Sequence, residues 1–322
     1  MTSLSCAERL RMLAPPSGRV RCVLDTDTYN EIDDQFAIVQ MLLSSDRLDL
    51  QAIYAAPFFL APFFPNDDRS ESPGHGMELS YEEIFRVLER MQVRPEGLVF
   101  KGVTDYVGPQ KIIREAPAVD DLIKRARASS PEDPLYVVAI AAISNVASAL
   151  IKAPDIRDKL VVVWLAGNAL EWPDTNEFNL GQDVGGSQVL LDSGVPLVLL
   201  PCQGVVSHLL STVPEIERHV EPYGDIGRFL AQRFKELSDD HVGWSKKLWD
   251  MAPVAWLLNP DWCESVITPT PIVTAQLTWS VDRARHPMRY VYRIHRDPIL
   301  KDFFSKLKEN EEIRRMTPAG QR

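Results

Sequence analysis

The sequence predicts a single α/β domain with a mainly parallel, doubly wound, Rossmann-like central sheet flanked by helices. Short β-branched apolar runs alternate with runs of helical length, which is typical of strands joined by right-handed helical crossovers. A length of 322 residues with 45% hydrophobic content is enough for one large core. No repeat or linker divides the chain, so we expect one domain at 19–315, after an N-terminal leader at 1–18 and before a frayed tail at 316–322.

The predicted elements follow one another in chain order. After a short leader helix, we expect a buried strand at 20–24, a helix that begins at Asp33, and a second strand at 48–57. Later strands are expected at 97–102, 135–142, 159–168, 195–201, 272–281 and 289–295. Later helices are expected at 81–91 and 116–128, from about 145 to Pro154, within 241–259, and near 298–309.

Residues 58–79 are rich in Pro and aromatic side chains, and this composition argues against a helix. A loop of this length in a compact domain is often functional. The sequence leaves two interpretations open. The segment is either an apolar cluster packed on the surface, or a lid or pocket wall.

The composition excludes several classes of protein. A net charge of −10 and a pI of about 5.2 argue against nucleic acid as a partner, because nucleic-acid affinity depends largely on Lys and Arg. The first residues lack the apolar core of a secretory signal, and no run is long enough to span a membrane. Four scattered cysteines without C-x-x-C spacing predict reduced thiols and a cytoplasmic protein. They are Cys6, Cys22, Cys202 and Cys263.

Four aspartates follow the first predicted strand. Asp25 and Asp27 lie at its carboxyl end, where open parallel sheets bind ligands, and Asp33 and Asp34 open the next helix. A single Asp at a helix start is usually a cap that suits the positive end of the helix dipole. Four carboxylates so close together raise one another's pKa values unless a cation neutralises them, and hard oxygen ligands favour calcium or magnesium over zinc. We therefore predict a metal site here.

Two families have an acidic strand end of this kind. Residues 25–29, D-T-D-T-Y, superficially resemble the D-x-D-x-T signature of haloacid-dehalogenase-type phosphatases, in which the first Asp is a nucleophile. The whole segment more closely resembles the D-x-D-P-G-x-D-D signature of nucleoside hydrolases, which are calcium-dependent N-ribosyl hydrolases. Here the Pro-Gly is missing and the loop is two residues longer.

Three later segments extend the resemblance to nucleoside hydrolases. A strand ending in Gly-Asn at 167–168 leads to N-E-F-N at 176–179, which resembles the N-x-E-F-N sugar-binding stretch of that family. Without the resemblance, this stretch is a polar loop with local turns. Ser144 lies where the family has a Thr with a calcium-binding carbonyl, and Trp249-Asp250 lies where it has a His-Asp pair.

The resemblance implies calcium-dependent hydrolysis of the N-glycosidic bond of a ribonucleoside or related N-riboside. It implies that Ca²⁺ is held by Asp27, Asp34, the Ser144 carbonyl and Asp250, and that Asp27 takes the proton of the attacking water. The implied substrate-binding residues are Asp33, Asn168, Asn176, Glu177, Phe178, Asn179 and Trp249. The expected partner is a small-molecule riboside, with no nucleic acid and no membrane, and a homodimer or homotetramer is suggested.

Two departures affect the chemistry. No amide follows the second strand, where the family has an Asn that places the water, and Trp249 cannot donate a proton as an imidazolium would. Acid catalysis of leaving-group departure is worth about two to four orders of magnitude. The alternatives are another acid, such as His208, His241 or Tyr54, or a catalytically weakened member that only binds a ribosyl ligand. A phosphatase is the third hypothesis.

Overall fold

The computed structural model describes residues 4–316 and confirms a single α/β domain around a mainly parallel central sheet. The helices are α1 (Cys6–Met12), α2 (Asp33–Leu42), α3 (Pro73–Met91), α4 (Pro117–Arg127), α5 (Ser144–Lys152), α6 (Phe178–Gln182), α7 (Val184–Ser193), α8 (Val213–His219), α9 (Gly224–Lys235), α10 (Met251–Leu258) and α11 (Arg296–Met316). The strands are β1 (Val20–Thr26), β2 (Leu48–Ala55), β3 (Val99–Lys101), β4 (Leu135–Ala139), β5 (Leu160–Leu165), β6 (Leu197–Leu200), β7 (Leu210–Ser211), β8 (Lys246–Lys247), β9 (Cys263–Pro269), β10 (Ile272–Val273), β11 (Trp279–Ser280) and β12 (Pro287–Ile294).

The central sheet has eight strands in the order β3-β2-β1-β4-β5-β6-β12-β9. Every neighbouring pair is parallel except β12 and β9. Because β1 pairs with β2 on one side and β4 on the other, the strand order reverses beside β1. Open α/β sheets bind ligands in the crevice at such a switch point, outside the carboxyl ends of the strands.

The sheet is covered on both faces, so its inner strands are mostly apolar. In β1, Cys22 and Leu24 belong to one core and Val23 to the other, because successive side chains point to opposite faces. The first core contains residues of α2, α3, α10 and α11, and the second contains residues of α4, α5 and α7. A core on each side holds the strand ends in fixed positions, and the candidate site is built on those ends.

The structure corrects several predicted boundaries. The helix α3 begins at Pro73 and not near 81, because the Ser72 side chain accepts from the His75 N–H and proline suits the first helical position. The sequence-based strand at 272–281 is a short hairpin, with Leu277 at φ +56° between β10 and β11. Strand β9 was not predicted, since much of it is an exposed sheet edge without a clear apolar pattern.

The N-terminal segment packs against the domain. In the predicted leader, Met12 and Leu13 are buried against the rest of the molecule. The predicted frayed tail lies outside the described residues apart from Met316, which ends α11. The division into leader, domain and tail stays a prediction. Within 4–316, no helix combines the length and the apolar character needed to cross a bilayer.

Candidate metal centre and ligand cavity

The carboxyl end of β1 places the first two aspartates differently. Asp25 is still inside the strand and fully buried, and one of its oxygens accepts from Asn145 Nδ2 at 2.7 Å. Burial raises the pKa of Asp25 to about 7, and the Asn145 hydrogen bond partly opposes this shift. Asp27 follows the strand and lines a cavity of about 580 Å³. Asp25 therefore makes a structural contact with α5, whereas Asp27 faces the ligand space.

The loop after Asp27 is two residues longer than in the family signature, but it still leads directly into helix α2. A turn is closed by the Asn30 N–H, which donates to the Asp27 carbonyl at 2.7 Å, and Asp33 and Asp34 are then the first residues of α2. The residue at the N-cap position is Ile32, which has no capping side chain. The two aspartates line the cavity, so the plain capping interpretation does not describe their surroundings.

Asp250 completes the cluster from the other half of the chain. It is the residue before α10, and α10 packs against α2. Carboxylate oxygens of Asp33, Asp34 and Asp250 all lie within 4.8 Å of one another. The structure therefore brings Asp250 beside Asp34, as the resemblance implied. It also places Asp33, predicted only as a sugar ligand, in this group, whereas Asp27, predicted as a metal ligand, is not part of it.

Burial raises the pKa values of all these acids and is the largest cause throughout. It raises the pKa of Asp33 to about 6, although the Lys246 ammonium opposes this shift. The pKa of Asp34 is raised to about 8 by burial and by repulsion from Asp33. The pKa values of Asp27 and Asp250 lie well above the usual value, because both are buried and face the other aspartates. A buried carboxylate that faces like charges is expensive to ionise unless a cation is close.

A divalent cation fits the donor set. The Asp27 Oδ2 atom is buried and has no hydrogen-bond partner among residues 4–316, whereas Asp33 Oδ1, also without a hydrogen bond there, lies 3.6 Å from the Lys246 ammonium. Buried polar atoms are nearly always paired, so the Asp27 oxygen is the one that a bound cation would satisfy. Ionised carboxylates accept only, and oxygen is the donor that calcium and magnesium prefer.

The structure contradicts the prediction for Ser144. Ser144 is the first residue of α5, it does not line the cavity, and its hydroxyl donates to Asp183 at 2.6 Å. In a helix the carbonyl of residue i accepts from the N–H of residue i+4, so the Ser144 carbonyl belongs to the helix. Ile140, directly after β4, lines the cavity, so its backbone carbonyl is the candidate ligand from this segment.

The predicted sugar-binding residues all border the same cavity. They are Asn168, Asn176, Glu177, Phe178 and Asn179. Asn168 is the best placed for a ligand, because its Oδ1 atom is buried and has no partner within the described part of the chain.

The Glu177 carboxylate stabilises the local backbone. It accepts hydrogen bonds from the backbone N–H groups of Gly167 at 2.8 Å, Asn179 at 2.9 Å and Leu180 at 3.1 Å, and it caps α6. Burial raises the pKa of Glu177, and these hydrogen bonds oppose the shift. We therefore expect Glu177 to hold the loop at 167–179, the sugar loop, in shape more than to bind the sugar directly.

Trp249, directly before Asp250, lines the same cavity. Two lysines that were not predicted lie on the same wall. Lys246 Nζ is 2.6 Å from Glu31 and 3.6 Å from Asp33, and Lys247 Nζ is 5.4 Å from the centre of the Trp249 ring. No local pattern in the sequence pointed to them, because a short ladder with Leu210 and Ser211 sets their position.

The aromatic loop forms part of the cavity wall. Phe63 and Phe64 both line the cavity, and their ring centres are 5.1 Å and 6.1 Å from that of Phe178. Of the two interpretations left open for 58–79, the placement favours a pocket wall. Cys202 also lines the cavity and was not predicted; it lies just after β6, not in a strand. All four cysteines are free thiols, as expected.

The fold and the cavity together define an α/β protein with an acidic ligand site at the switch point of a parallel sheet. Residues 87–298, about two-thirds of the chain, match the family model described as inosine-uridine preferring nucleoside hydrolase, and the chain belongs to this family. The matched range includes the sugar loop and Asp250 but begins after the acidic loop. The family resemblance found in the sequence is thus confirmed.

Individual known proteins are more distantly similar. The pyrimidine-specific ribonucleoside hydrolase RihA of Klebsiella pneumoniae (strain 342) is 27% identical over 142 residues, which cover 40% of this chain and 44% of that protein. The chain spans about half the length of the curated relatives that it matches.

Solved structures share the fold over almost the whole chain. A purine-preferring ribonucleoside hydrolase from Gardnerella vaginalis has a TM-score of 0.69 at 20% identity, covering 91% of this chain and 99% of that one. An inosine-uridine preferring nucleoside hydrolase from Bacillus anthracis has a TM-score of 0.61 at 16% identity, covering 90% and 99%. At these identities the likeness concerns the fold alone.

Proposed function

We propose that the chain hydrolyses the N-glycosidic bond of a ribonucleoside or related N-riboside, giving ribose and free base, with the help of a calcium ion. This proposal depends chiefly on one observation: the carboxylates of Asp33, Asp34 and Asp250 lie within 4.8 Å of one another on the wall of one cavity. The same cavity is bordered by the amide side chains of the sugar loop. Ribonucleoside hydrolases among the relatives support the substrate class.

We assign the calcium ion to Asp27, Asp34 and Asp250, with Asp33 beside them and the Ile140 carbonyl in place of that of Ser144. When bound, calcium supplies positive charge that keeps these carboxylates ionised, and it attracts a water and the vicinal hydroxyls of a ribose. The buried Asp27 Oδ2 atom, which has no hydrogen-bond partner among the described residues, supports this assignment.

The remaining steps belong to the side chains. Asp27 Oδ2 takes the proton of the attacking water, and Asp33 accepts from a ribose hydroxyl. The Asn168 Oδ1 atom accepts from a second hydroxyl, while Asn176 and Asn179 complete the sugar site. Fixing the ribose in this way removes much of the entropic cost of reaching the transition state. Trp249 offers an apolar ring on which the departing base stacks.

The second candidate is a weakened member that binds a ribosyl ligand without turnover. Trp249 favours it, because this residue stands where the resembled family has a proton-donating His. Calorimetry that shows tight binding of ribose or a nucleoside, without release of sugar, would favour this candidate. The phosphatase hypothesis requires Asp25 as the nucleophile. Asp25 is buried, accepts a hydrogen bond from Asn145 and does not line the cavity, which argues against this hypothesis.

The test is release of reducing sugar from a panel of nucleosides and from nitrophenyl riboside. We expect activity that a chelator abolishes and added Ca²⁺ restores. Asp27→Asn should remove the activity, whereas Asp46→Asn, a change at an exposed position, should not. Absence of both hydrolysis and calcium binding in the wild type would overturn the proposal.

Two further expectations accompany this function. We expect a cytoplasmic protein, and a homodimer or homotetramer. Sedimentation velocity of the purified chain measures the assembly directly, and a monomer at all concentrations would contradict the second expectation.

A further inference from the structure

Negative charge develops on the base as it departs and must be stabilised. The structure places none of the three proton donors suggested by the sequence on the cavity wall. His208, His241 and Tyr54 all lie outside the cavity lining among the described residues. Each also has a partner elsewhere: both imidazoles lie within 3.0 Å of a backbone carbonyl, and the Tyr54 hydroxyl donates to Asp121. None of them is placed to act on a leaving group beside Trp249.

The cationic side chains that line the cavity, within residues 4–316, are Lys246 and Lys247. Lys246 is already engaged. Its side chain is only 12% exposed, and its ammonium lies between the carboxylates of Glu31 and Asp33. Its charge therefore offsets those of the acids and is not available to a base.

Lys247 has a different environment. No carboxylate of residues 4–316 lies within 4.0 Å of the Lys247 ammonium. The ammonium instead lies over the face of the Trp249 ring, 5.4 Å from its centre. Its backbone is held by the short ladder in which Leu210 pairs with Lys247, and by the Leu248 N–H, which donates to the Leu209 carbonyl at 2.8 Å. An unpaired ammonium is thus held on the cavity wall, against the ring that takes the place of the family histidine.

We propose that Lys247 is the leaving-group residue of this chain, a conclusion that rests on the proposed N-riboside hydrolysis. As the bond from C1′ to the base nitrogen breaks, its electron pair stays on the nitrogen, and the Lys247 ammonium donates a hydrogen bond to the departing base anion. The attacking water forms the new bond to C1′ and gives its proton to Asp27, and solvent protonates the base anion after it departs. Two residues then replace the family histidine. The Lys247 ammonium supplies the positive charge, and the Trp249 ring supplies the stacking surface.

The experiment compares two leaving groups in one variant, Lys247→Met, which keeps a long apolar stem and removes the charge. Nitrophenolate departs without assistance, whereas the base of a natural nucleoside needs it. We expect kcat on nucleosides to fall by about a hundredfold or more, and kcat on nitrophenyl riboside to change by less than about threefold. Lys247→Arg should keep most of the nucleoside activity.

Lys124→Met, which removes an exposed ammonium on α4, is the matched control and should affect neither substrate. An equal loss on both substrates would overturn the inference, because it would indicate a role in sugar binding or folding. An unchanged nucleoside rate, or a wild type that cleaves only nitrophenyl riboside, would overturn it as well. A wild type that cleaves neither substrate would instead refute the proposed function.

Discussion

Asp34 and Asp250 come from opposite halves of the sequence, yet their carboxylate oxygens lie within 4.8 Å of each other. One belongs to the first turn of α2 and the other directly precedes α10, and the packing of these two helices sets their separation. Two buried carboxylates so close together repel unless a proton or a cation lies between them. The predictions below follow from this relationship.

The stabilisation by calcium should grow with pH. In the cation-free protein, Asp33 has a pKa of about 6 and Asp34 about 8, both above the usual 3.8. Protonation of these groups therefore stabilises the cation-free fold fully below about pH 4, and this contribution is lost as the pH rises to about 8. Calcium binds the ionised form, so the Tm shift on adding Ca²⁺ should increase from pH 5 to pH 8. A shift that is constant or falls over this range would contradict the assignment.

Removal of the Asn168 amide should weaken substrate binding. Its buried Oδ1 atom lacks a partner among the described residues, and a ribose hydroxyl would satisfy it. Asn168→Ala should lower kcat/KM for the best nucleoside by about tenfold, the equivalent of one hydrogen bond of roughly 1.4 kcal/mol. Asn310→Ala on α11 is the control. Unchanged steady-state kinetics in Asn168→Ala would place the sugar elsewhere.

Glu177→Gln should act mainly on stability. A glutamine has one acceptor oxygen, whereas the Glu177 carboxylate accepts three backbone N–H groups with two oxygens. We expect the free energy of unfolding to fall by about 1–3 kcal/mol in denaturant titrations. The exposed Glu96→Gln change should leave stability within about 0.5 kcal/mol of wild type. A variant that unfolds normally but has a large increase in KM would restore the sugar-ligand interpretation.

The sequence predicted the parts of the site that local patterns determine. Asp27, Asp33 and Asp34 follow from a strand end and a helix start, and the sugar loop follows from a motif. The prediction that the Ser144 carbonyl binds calcium was wrong. A motif match does not show whether a carbonyl is free at a strand end or hydrogen-bonded within a helix. Lys246 and Lys247 were missed for another reason. Their orientation depends on a two-residue ladder with Leu210 and Ser211, a long-range pairing without a local signal.

Calorimetric titration with Ca²⁺ tests the central claim most directly. Wild-type protein at pH 8 should bind one ion per chain in the acid cluster, and Asp250→Asn should abolish this binding although Asp250 is remote in sequence from the acidic loop. The control Asp46→Asn should bind as the wild type does. Undiminished calcium binding in Asp250→Asn, or no calcium binding in the wild type, would contradict the account.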